Sequence, residues 1–220
     1  MAHAKIPGFA DLWVNSLMIG DTGFILTEDE LGTLVDQSQN AVQIGAAPST
    51  TGLTCAIVRI GDSFKLTFTL AALSIAVTDG AGSGSYGATK LFDFIESSIA
   101  FTGSRANYTA FAEGAALTGA AGDAAFVIGL GTTAIAAAAD GTLGTTTGVN
   151  VGSSLSITLS GGTATGTKHT GPLDIGVVDG TATAAALYLN WSGTAATIDA
   201  NSTIAVTGTI TVTGRMMGDD

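Results

Sequence analysis

Charged side chains are scarce in this 220-residue chain, and basic ones are the scarcest. Charged residues make up 11% of the sequence, where an ordinary soluble domain has about 25%. Seven Lys and Arg residues stand against 18 Asp and Glu, which gives a formal net charge of −11, and the basic residues are scattered. Phosphate backbones and anionic membrane surfaces both require clustered cations. The sequence therefore predicts neither a nucleic-acid partner nor a membrane partner.

Cysteine and long apolar runs are also missing. The single cysteine, Cys55, excludes an intrachain disulfide and a cysteine metal site, and its neighbours predict a buried small hydrophobic residue. The longest apolar runs, Ala134–Ala139 and Ala184–Leu189, fall far short of the roughly 20 residues of a membrane-spanning helix. Pro7 and Asp11 interrupt any secretory apolar stretch, so we expect a protein that is made and used without export.

The residue patterns of common enzymes are absent from the sequence. There are two histidines, and His169 stands in a Gly/Thr-rich segment typical of a solvated loop. Many aspartates adjoin glycine, where Asp stabilises turns. Residues 82–87 match G-x-G-x-x-G, but a dinucleotide site also needs a following helix and a carboxylate about 20 positions later. The sequence predicts neither, so we interpret this segment as a loop and expect no enzymatic activity, no cofactor and no metal site.

Glycine, alanine and threonine are abundant, with 31, 36 and 33 copies. Beyond residue 50, apolar and polar residues alternate in the segments 63–70, 154–159, 185–191 and 203–213. This period is typical of half-buried strands, and Asp-Gly and Gly-Gly pairs between the segments indicate turns. Gly208 inside the last segment predicts a bulge or a close backbone approach. The residues expected to be buried are Phe64, Leu66, Phe68, Ile204, Val206, Ile210 and Val212.

The first 45 residues differ from the rest. The spacing of the apolar residues Ile6, Phe9, Trp13 and Leu17 predicts one face of a helix, with an extended arm as the alternative. A capping box beginning at Thr27 predicts a second helix near 28–38. The predicted fold is therefore all-β, an antiparallel β-sandwich or barrel of the jelly-roll kind with a partly helical N-terminal region. The predicted divisions are an N-terminal arm (1–20), a helix-containing connector (21–52) and a β domain (53–220).

The composition favours a subunit of an assembly. Lys and Glu lose about 1.5–2 kcal/mol of rotamer entropy when they are immobilised, whereas Gly and Ala lose almost none. Surfaces that bear Thr and Ala can therefore be ordered against a partner at low entropic cost, and interface cores are depleted in Lys, Glu and Asp. These considerations predict a structural, multimeric role.

Several stretches resemble the Gly/Ala/Thr-rich virion proteins of tailed bacteriophages that act as capsid decoration (cement) proteins. The main stretch is Leu187–Ile204, continued by Val206–Thr213, and Ser63–Leu73 and Tyr108–Gly114 share its character. The resemblance covers about two-thirds of the chain and carries over no functional residue. It implies a β-rich homo-oligomer, expected to be a trimer, on the virion capsid surface after assembly in the host cytoplasm. Its implied role is to bind the major capsid protein and stabilise contacts between neighbouring capsid subunits.

The apolar residues of the N-terminal arm are the candidate partner-binding site, because Trp and Phe are favoured interface anchors. The arm is expected to dock on a neighbouring subunit, either the major capsid protein or another copy of this chain. The competing interpretation packs it on its own domain. Two other classes of protein stay open: a bacterial cell-surface adhesin, which would share the Thr-rich strands, and a carbohydrate-binding β-sandwich module, which would need exposed aromatic residues.

Overall fold

The computed structural model divides the chain into two compact units, Met1–Gln43 and Ile44–Asp220. The residues that it describes are 4–5, 13–14, 16–19, 24–27, 44–80, 85–114, 125–136, 149–158, 166–170, 177–193 and 200–218. All of the regular elements in these ranges are β-strands, which confirms the predicted all-β class.

The described residues of the first unit form two small antiparallel pairs. The strands are β1 (Ala4–Lys5), β2 (Trp13–Val14), β3 (Ser16–Ile19) and β4 (Phe24–Thr27). β1 pairs with β2, and β3 pairs with β4. Trp13 and Leu17 are therefore in extended backbone, where the sequence spacing predicted a helix. Runs such as Leu-Met-Ile and Phe-Ile-Leu suit a strand as well as a helix, and spacing alone did not separate the two. The predicted helix near 28–38 lies outside the described residues.

The second unit contains one ten-stranded sheet. Its strands are β5 (Gly45–Ala46), β6 (Leu53–Ile60), β7 (Ser63–Asp79), β8 (Ser85–Phe94), β9 (Ile99–Glu113), β10 (Ala125–Gly131), β11 (Gly152–Thr158), β12 (Gly166–Thr170), β13 (Ala186–Gly193) and β14 (Ser202–Met216). The order is β11-β10-β13-β8-β7-β14-β9-β12, with β5 on β8 and β6 on β7, and every pair is antiparallel. The sheet curls into a half-barrel.

The curl follows from the length of β7. Only its last two residues pair with β8, through Thr78 with Tyr86 and Asp79 with Ser85, whereas its first eight pair with β6. β8 can therefore turn away from β7 and join β13, so that the sheet folds over on itself. Phenylalanine rings from the two halves meet inside the fold, and the ring centroids of Phe68 and Phe92 lie 6.3 Å apart. Such edge-to-face contacts add to the burial of apolar area.

The hydrophobic pattern of β7 changes parity in the middle of the strand. Phe64, Leu66, Phe68 and Leu70 are buried, and after two exposed alanines the buried residues are Leu73, Ile75 and Val77. Both alanines, Ala71 and Ala72, stand opposite the single residue Thr207 of β14. This β-bulge keeps both apolar sets on the inner face, because one extra residue offsets the change of parity. Ala72 has a φ of 54°, and its N–H donates to the Thr207 hydroxyl at 3.2 Å.

A second irregularity lies at the same level, on the other side of β14. The pairing of β14 with β9 shifts between Thr207 and Gly208, which leaves Thr109 as the extra residue of β9. Gly208 has a φ of +154°, and a Cβ at this position would collide with the carbonyl oxygen of Asn107 and lie 2.9 Å from the Cα of Tyr108. The predicted bulge and the predicted close approach are therefore both confirmed. Bulges increase the twist and bend of strands. The two bulges on either side of Thr207 and Gly208 therefore bend the sheet across β7, β14 and β9.

The predicted core is confirmed. All seven residues expected to be buried are at most 3% exposed: Phe64, Leu66, Phe68, Ile204, Val206, Ile210 and Val212. β13 departs from its predicted alternation, because Asn190 on the expected polar face is fully buried. Its side-chain amide donates to the carbonyl oxygen of Thr133 at 2.8 Å, and its Oδ1 accepts from the N–H of Ile135 at 3.2 Å. These two hydrogen bonds hold the segment that follows β10 against β13. The alternation pattern of the sequence could not reveal this role of Asn190.

Replacement of Phe68 by Ala should lower the free energy of unfolding by about 3–5 kcal/mol, because the ring is fully buried between the two halves of the sheet. Urea denaturation followed by fluorescence measures the change. Thr69→Ala is the matched control, since Thr69 is the next residue and is exposed. A loss below about 1 kcal/mol for Phe68→Ala would mean that the two faces of β7 are assigned the wrong way round.

Gly208→Ala should destabilise the fold by more than Gly61→Ala does. Gly61 also has a positive φ, of +57°, but a Cβ there has no atom within 4 Å, so its replacement carries only the backbone cost of about 1 kcal/mol. The alanine at 208 adds the collision with β9. Thermal unfolding of the two variants measures the difference. Equal losses would show that β9 can move aside and that the bend does not require glycine.

Candidate assembly surface

The structure does not bring the chemically suggestive residues together. Ser85, Tyr86 and Gly87, the second half of the G-x-G-x-x-G match, lie in β8, so the predicted loop is wrong for these residues and no helix follows them. His169 lies in β12 in register with Arg105, which corrects the predicted loop at that position. Among the described residues, no group of three or more His, Cys, Asp or Glu could hold a metal ion.

Asp179 shows how aspartate acts in this fold. Its Oδ1 accepts from the Thr181 hydroxyl at 2.7 Å and from the Thr181 N–H at 3.1 Å. These two hydrogen bonds stabilise the carboxylate and lower the pKa of Asp179. The Asp-Gly pair at this position therefore stabilises a turn, as the sequence predicted.

Exposed apolar side chains concentrate on β6. In the described part of the chain, five large hydrophobic side chains are exposed, and three belong to this strand: Ile57 (44% exposed), Val58 (54%) and Ile60 (79%). The other two are Val177 and Met217. Val58 and Ile60 are partners of the exposed Lys65 and Ser63, whereas Ile57 is the partner of the buried Leu66, so β6 exposes apolar side chains on both of its faces. Exposed apolar side chains that lie together commonly mark an interaction site. β6 was not predicted as an interaction site, because its sequence LTCAIVRI has no period-two alternation that would assign one solvent-exposed face.

β6 is also an edge strand. All eight of its residues pair with β7 without a register shift, from Leu53 opposite Leu70 to Ile60 opposite Ser63. No other strand of the described ranges pairs with β6. Its second edge therefore presents backbone N–H and C=O groups that an added strand could use.

β6 has few of the features that normally prevent an edge strand from pairing with another chain. Natural edge strands are short, bulged, or carry proline or charge. β6 has eight residues, no bulge and no proline, and Arg59 is its one charged residue. The other long edges have the polar sequences GSSLSIT in β11 and GTKHT in β12. β6 is therefore the edge most suited to pairing with a partner.

Threonines cover the outer face of the sheet next to β6. Thr54, Thr69 and Thr209 are register partners across β6, β7 and β14, and all three are exposed. In the adjacent row, Thr67 and Thr211 are partners and are half-buried. Threonine has few rotamers to lose in a strand, so this face can be ordered against a partner at small entropic cost.

Two cations lie at one end of this surface. Lys65 of β7 is the register partner of Val58, and Arg215 of β14 is the partner of Ser63. Arg59 of β6 is the partner of the buried Phe64 and therefore lies on the opposite face of the sheet. Lys65 and Arg215 are exposed, and neither forms an ion pair with a described residue. Asp62, in the turn between β6 and β7, supplies one negative charge at the same end. The local net charge at this end is therefore positive, in a protein whose overall net charge is −11.

The predicted partner-binding residues lie in the first unit. Trp13 is in β2 and Leu17 is in β3, whereas Ile6 and Phe9 lie outside the described residues. The structure thus shows strands at two of the four positions of the arm. The docking of the arm stays a prediction.

The chain has no match among protein-family models, curated proteins or solved structures. In the residues that the structure describes, no helix is long and apolar enough to span a membrane. The surface described above is therefore the basis for an assignment of function.

The thiol of Cys55 should react slowly in the folded protein. Cys55 is half-buried and packs against the core, and this burial raises the pKa of its thiol to about 11. The thiolate is the reactive form, so its fraction at pH 8 should be about a hundredfold below that of a thiol with a pKa near 9. Rates of alkylation between pH 7 and 11, in buffer and in denaturant, measure this effect. Equal rates in the two conditions would contradict it.

Proposed function

We propose that this protein is a structural virion subunit, a capsid decoration (cement) protein that binds the outer shell and stabilises contacts between major capsid subunits. The observation that carries the proposal is the long, apolar and unprotected edge strand β6 beside a Thr-rich outer face. A freely diffusing protein gains nothing from such an edge and risks aggregation. A subunit that is covered after assembly avoids that risk.

The second support is the kind of surface that surrounds the edge. The exposed row of Thr54, Thr69 and Thr209 offers flat, uncharged contact area. Interface cores are depleted in Lys and Glu, and this row has neither. Binding through such a surface depends on shape, apolar contact and backbone pairing. General electrostatic attraction would not provide it, because the whole chain is acidic.

A carbohydrate-binding module is less well supported. Such a site commonly stacks sugar rings on exposed aromatic side chains, whereas every aromatic side chain whose burial the structure describes is buried or half-buried. Trp191, in β13, is fully buried. No observation favours the adhesin alternative over the decoration protein.

Immunogold electron microscopy of the virions whose genome encodes this chain tests the proposed function. Antibodies raised against the purified protein should label the outer capsid surface in an ordered pattern. Added protein should also cosediment with capsids that lack it. Label on the tail alone, or absence of the protein from purified virions, would refute the proposal.

Trp13→Ala should weaken capsid binding by about 2 kcal/mol or more if Trp13 is an interface anchor, because a Trp side chain buries a large area while few torsions are frozen. Cosedimentation at several protein concentrations measures the affinity, and circular dichroism confirms that the second unit stays folded. Trp13→Phe is the conservative control and should keep most of the affinity. A lower melting temperature with unchanged binding would instead show that Trp13 packs on its own chain.

A further inference from the structure

The free edge of β6 requires cover whenever the protein is not bound to a partner. Ile57 is exposed on the inner side of the strand, and Val58 and Ile60 are exposed on the outer side. An uncovered edge of this kind pairs with other chains and leads to aggregation. A second copy of this chain carries the same edge with the same requirement, so two copies that pair edge to edge would cover each other.

The backbone groups that face the free edge belong to the odd-numbered residues of β6. The N–H of Ala71 in β7 donates to the carbonyl oxygen of Gly52 at 2.8 Å. Hydrogen-bonded and non-hydrogen-bonded pairs alternate along an antiparallel ladder, so the even-numbered residues that follow direct their backbone groups at β7. Cys55 and Ile57 therefore direct theirs toward the free edge, where an antiparallel strand could bond with both.

A twofold axis determines how two such edges meet. An axis normal to the sheet pairs the strands antiparallel and leaves the threonine faces of both copies on one side. With Ile57 on the axis opposite itself, Val58 pairs with Ala56 of the second copy and Ile60 with Thr54, so all three exposed apolar side chains are covered. An axis at Ala56 would leave Ile60 unpaired. An axis at Val58 would reduce the pairing to Ala56–Ile60.

Charge does not oppose this contact, although each chain has a net charge of −11. β6 contains no acidic residue, and neither does Ser63–Leu70, the part of β7 that pairs with it. The cations of these two segments are Arg59 and Lys65. Across the axis, the Cα atom of each lies about 14 Å from that of its own copy, which exceeds the Debye length of about 8 Å. The centre of the contact is therefore apolar and uncharged.

The twofold contact also leaves no free β6 edge. An isologous contact closes at two copies, whereas a head-to-tail contact that fails to close leaves an edge exposed at each end. Among the described strands, the half of the sheet that contains β6 ends on its other side in β12, whose sequence GTKHT is polar. Both ends of the combined sheet would then be β12 edges, which are short and carry a lysine, as protected edges do.

We propose that, in the free protein, β6 pairs antiparallel with β6 of a second copy about a twofold axis at Ile57. Eight residues at about 3.4 Å each make an edge about 27 Å long. A single strand edge of this length buries less than the roughly 1,200–2,000 Å² of a stable interface. The dimer therefore belongs to the weak, exchanging class.

An exchanging dimer gives the edge two successive uses. A paired edge cannot accept another strand, so the dimer and the capsid contact proposed above compete for β6. The free protein would keep its edge covered by a second copy and release it when the capsid supplies the partner. This competition rests on the proposed function, whereas the dimer itself does not.

Cross-linking between two cysteine variants tests the pairing and its register. Both carry Cys55→Ser; one also carries Ala56→Cys and the other Val58→Cys, each with a tag of different size. Positions 56 and 58 face each other in a non-hydrogen-bonded pair, whose Cα separation of about 4.5 Å suits a disulfide, so mild oxidation should give mainly the mixed dimer. Thr209→Cys replaces Val58→Cys in the matched control, because Thr209 is exposed on the same face but lies two strands behind the edge. The control should give little product.

The other outcomes of the cross-linking each overturn a defined part of the proposal. If Val58→Cys forms dimers only with itself, the axis lies at Val58. If Ala56→Cys forms dimers only with itself, the axis lies at Ala56. Product no greater than in the control would overturn the contact altogether.

Ile57→Lys tests the contact without a new cysteine. It places two ammonium groups opposite each other at the axis, and like charges directly opposite destabilise a strand pair. The dissociation constant of the dimer in sedimentation velocity should rise at least about tenfold. Val177→Lys is the matched control, because Val177 is 52% exposed and lies outside β6, and circular dichroism checks that both variants are folded. Equal effects of the two variants, or a wild type that stays monomeric or forms a trimer, would overturn the proposal.

Capsid cosedimentation separates this inference from the proposed function. The dimer locked by the disulfide between positions 56 and 58 should not cosediment with capsids, and reduction should restore binding. Equal binding before and after reduction would overturn the competition for β6. Capsid binding by a protein that never dimerises would overturn the dimer alone. A dimer that binds no capsid in either state would overturn the proposed function alone.

Discussion

The pairing of β7 with β14 is the constraint on which the second unit depends. Together with the pairing of β14 and β9, it is one of the two longest registers of the sheet, and both β7 and β14 carry apolar residues of the inner face. A strand of this length cannot stay flat and also enclose a core, so the sheet must bend within it. The bend occurs where Ala71 and Ala72 stand opposite Thr207 and where β9 comes close to Gly208. The two halves of the sheet can then face each other across the phenylalanine cluster.

The same arrangement creates the exposed edge. β7 is long enough to pair with β6 along its first half and to reach β8 only at its end. β8 continues into the other half of the sheet, and among the described strands β6 is left with one neighbour. The edge is therefore a direct consequence of how the core is closed. An apolar sequence such as LTCAIVRI at this place suits a protein that works with its edge covered.

The low charge of the chain connects the fold with the proposed role. Threonine rows and short side chains make a surface that can be immobilised at small entropic cost, and two of the seven cations, Lys65 and Arg215, lie exposed at one end of it. The proposed binding to a capsid uses this surface, and its physical basis is apolar contact and backbone pairing at β6.

Much of the β architecture could be predicted from the sequence, because period-two alternation states directly which residues face the core. Phe64 to Leu70 and Ile204 to Val212 are buried as their pattern indicates, and Gly208 marked the bulge. The pattern failed where tertiary contacts decide: Asn190 is buried because its amide bonds the segment after β10, and His169 belongs to a strand because β9 pairs with it. The candidate surface on β6 could not be predicted at all. Whether an apolar strand is central or lies at an edge depends on which other strands pair with it, and that is a property of the folded sheet.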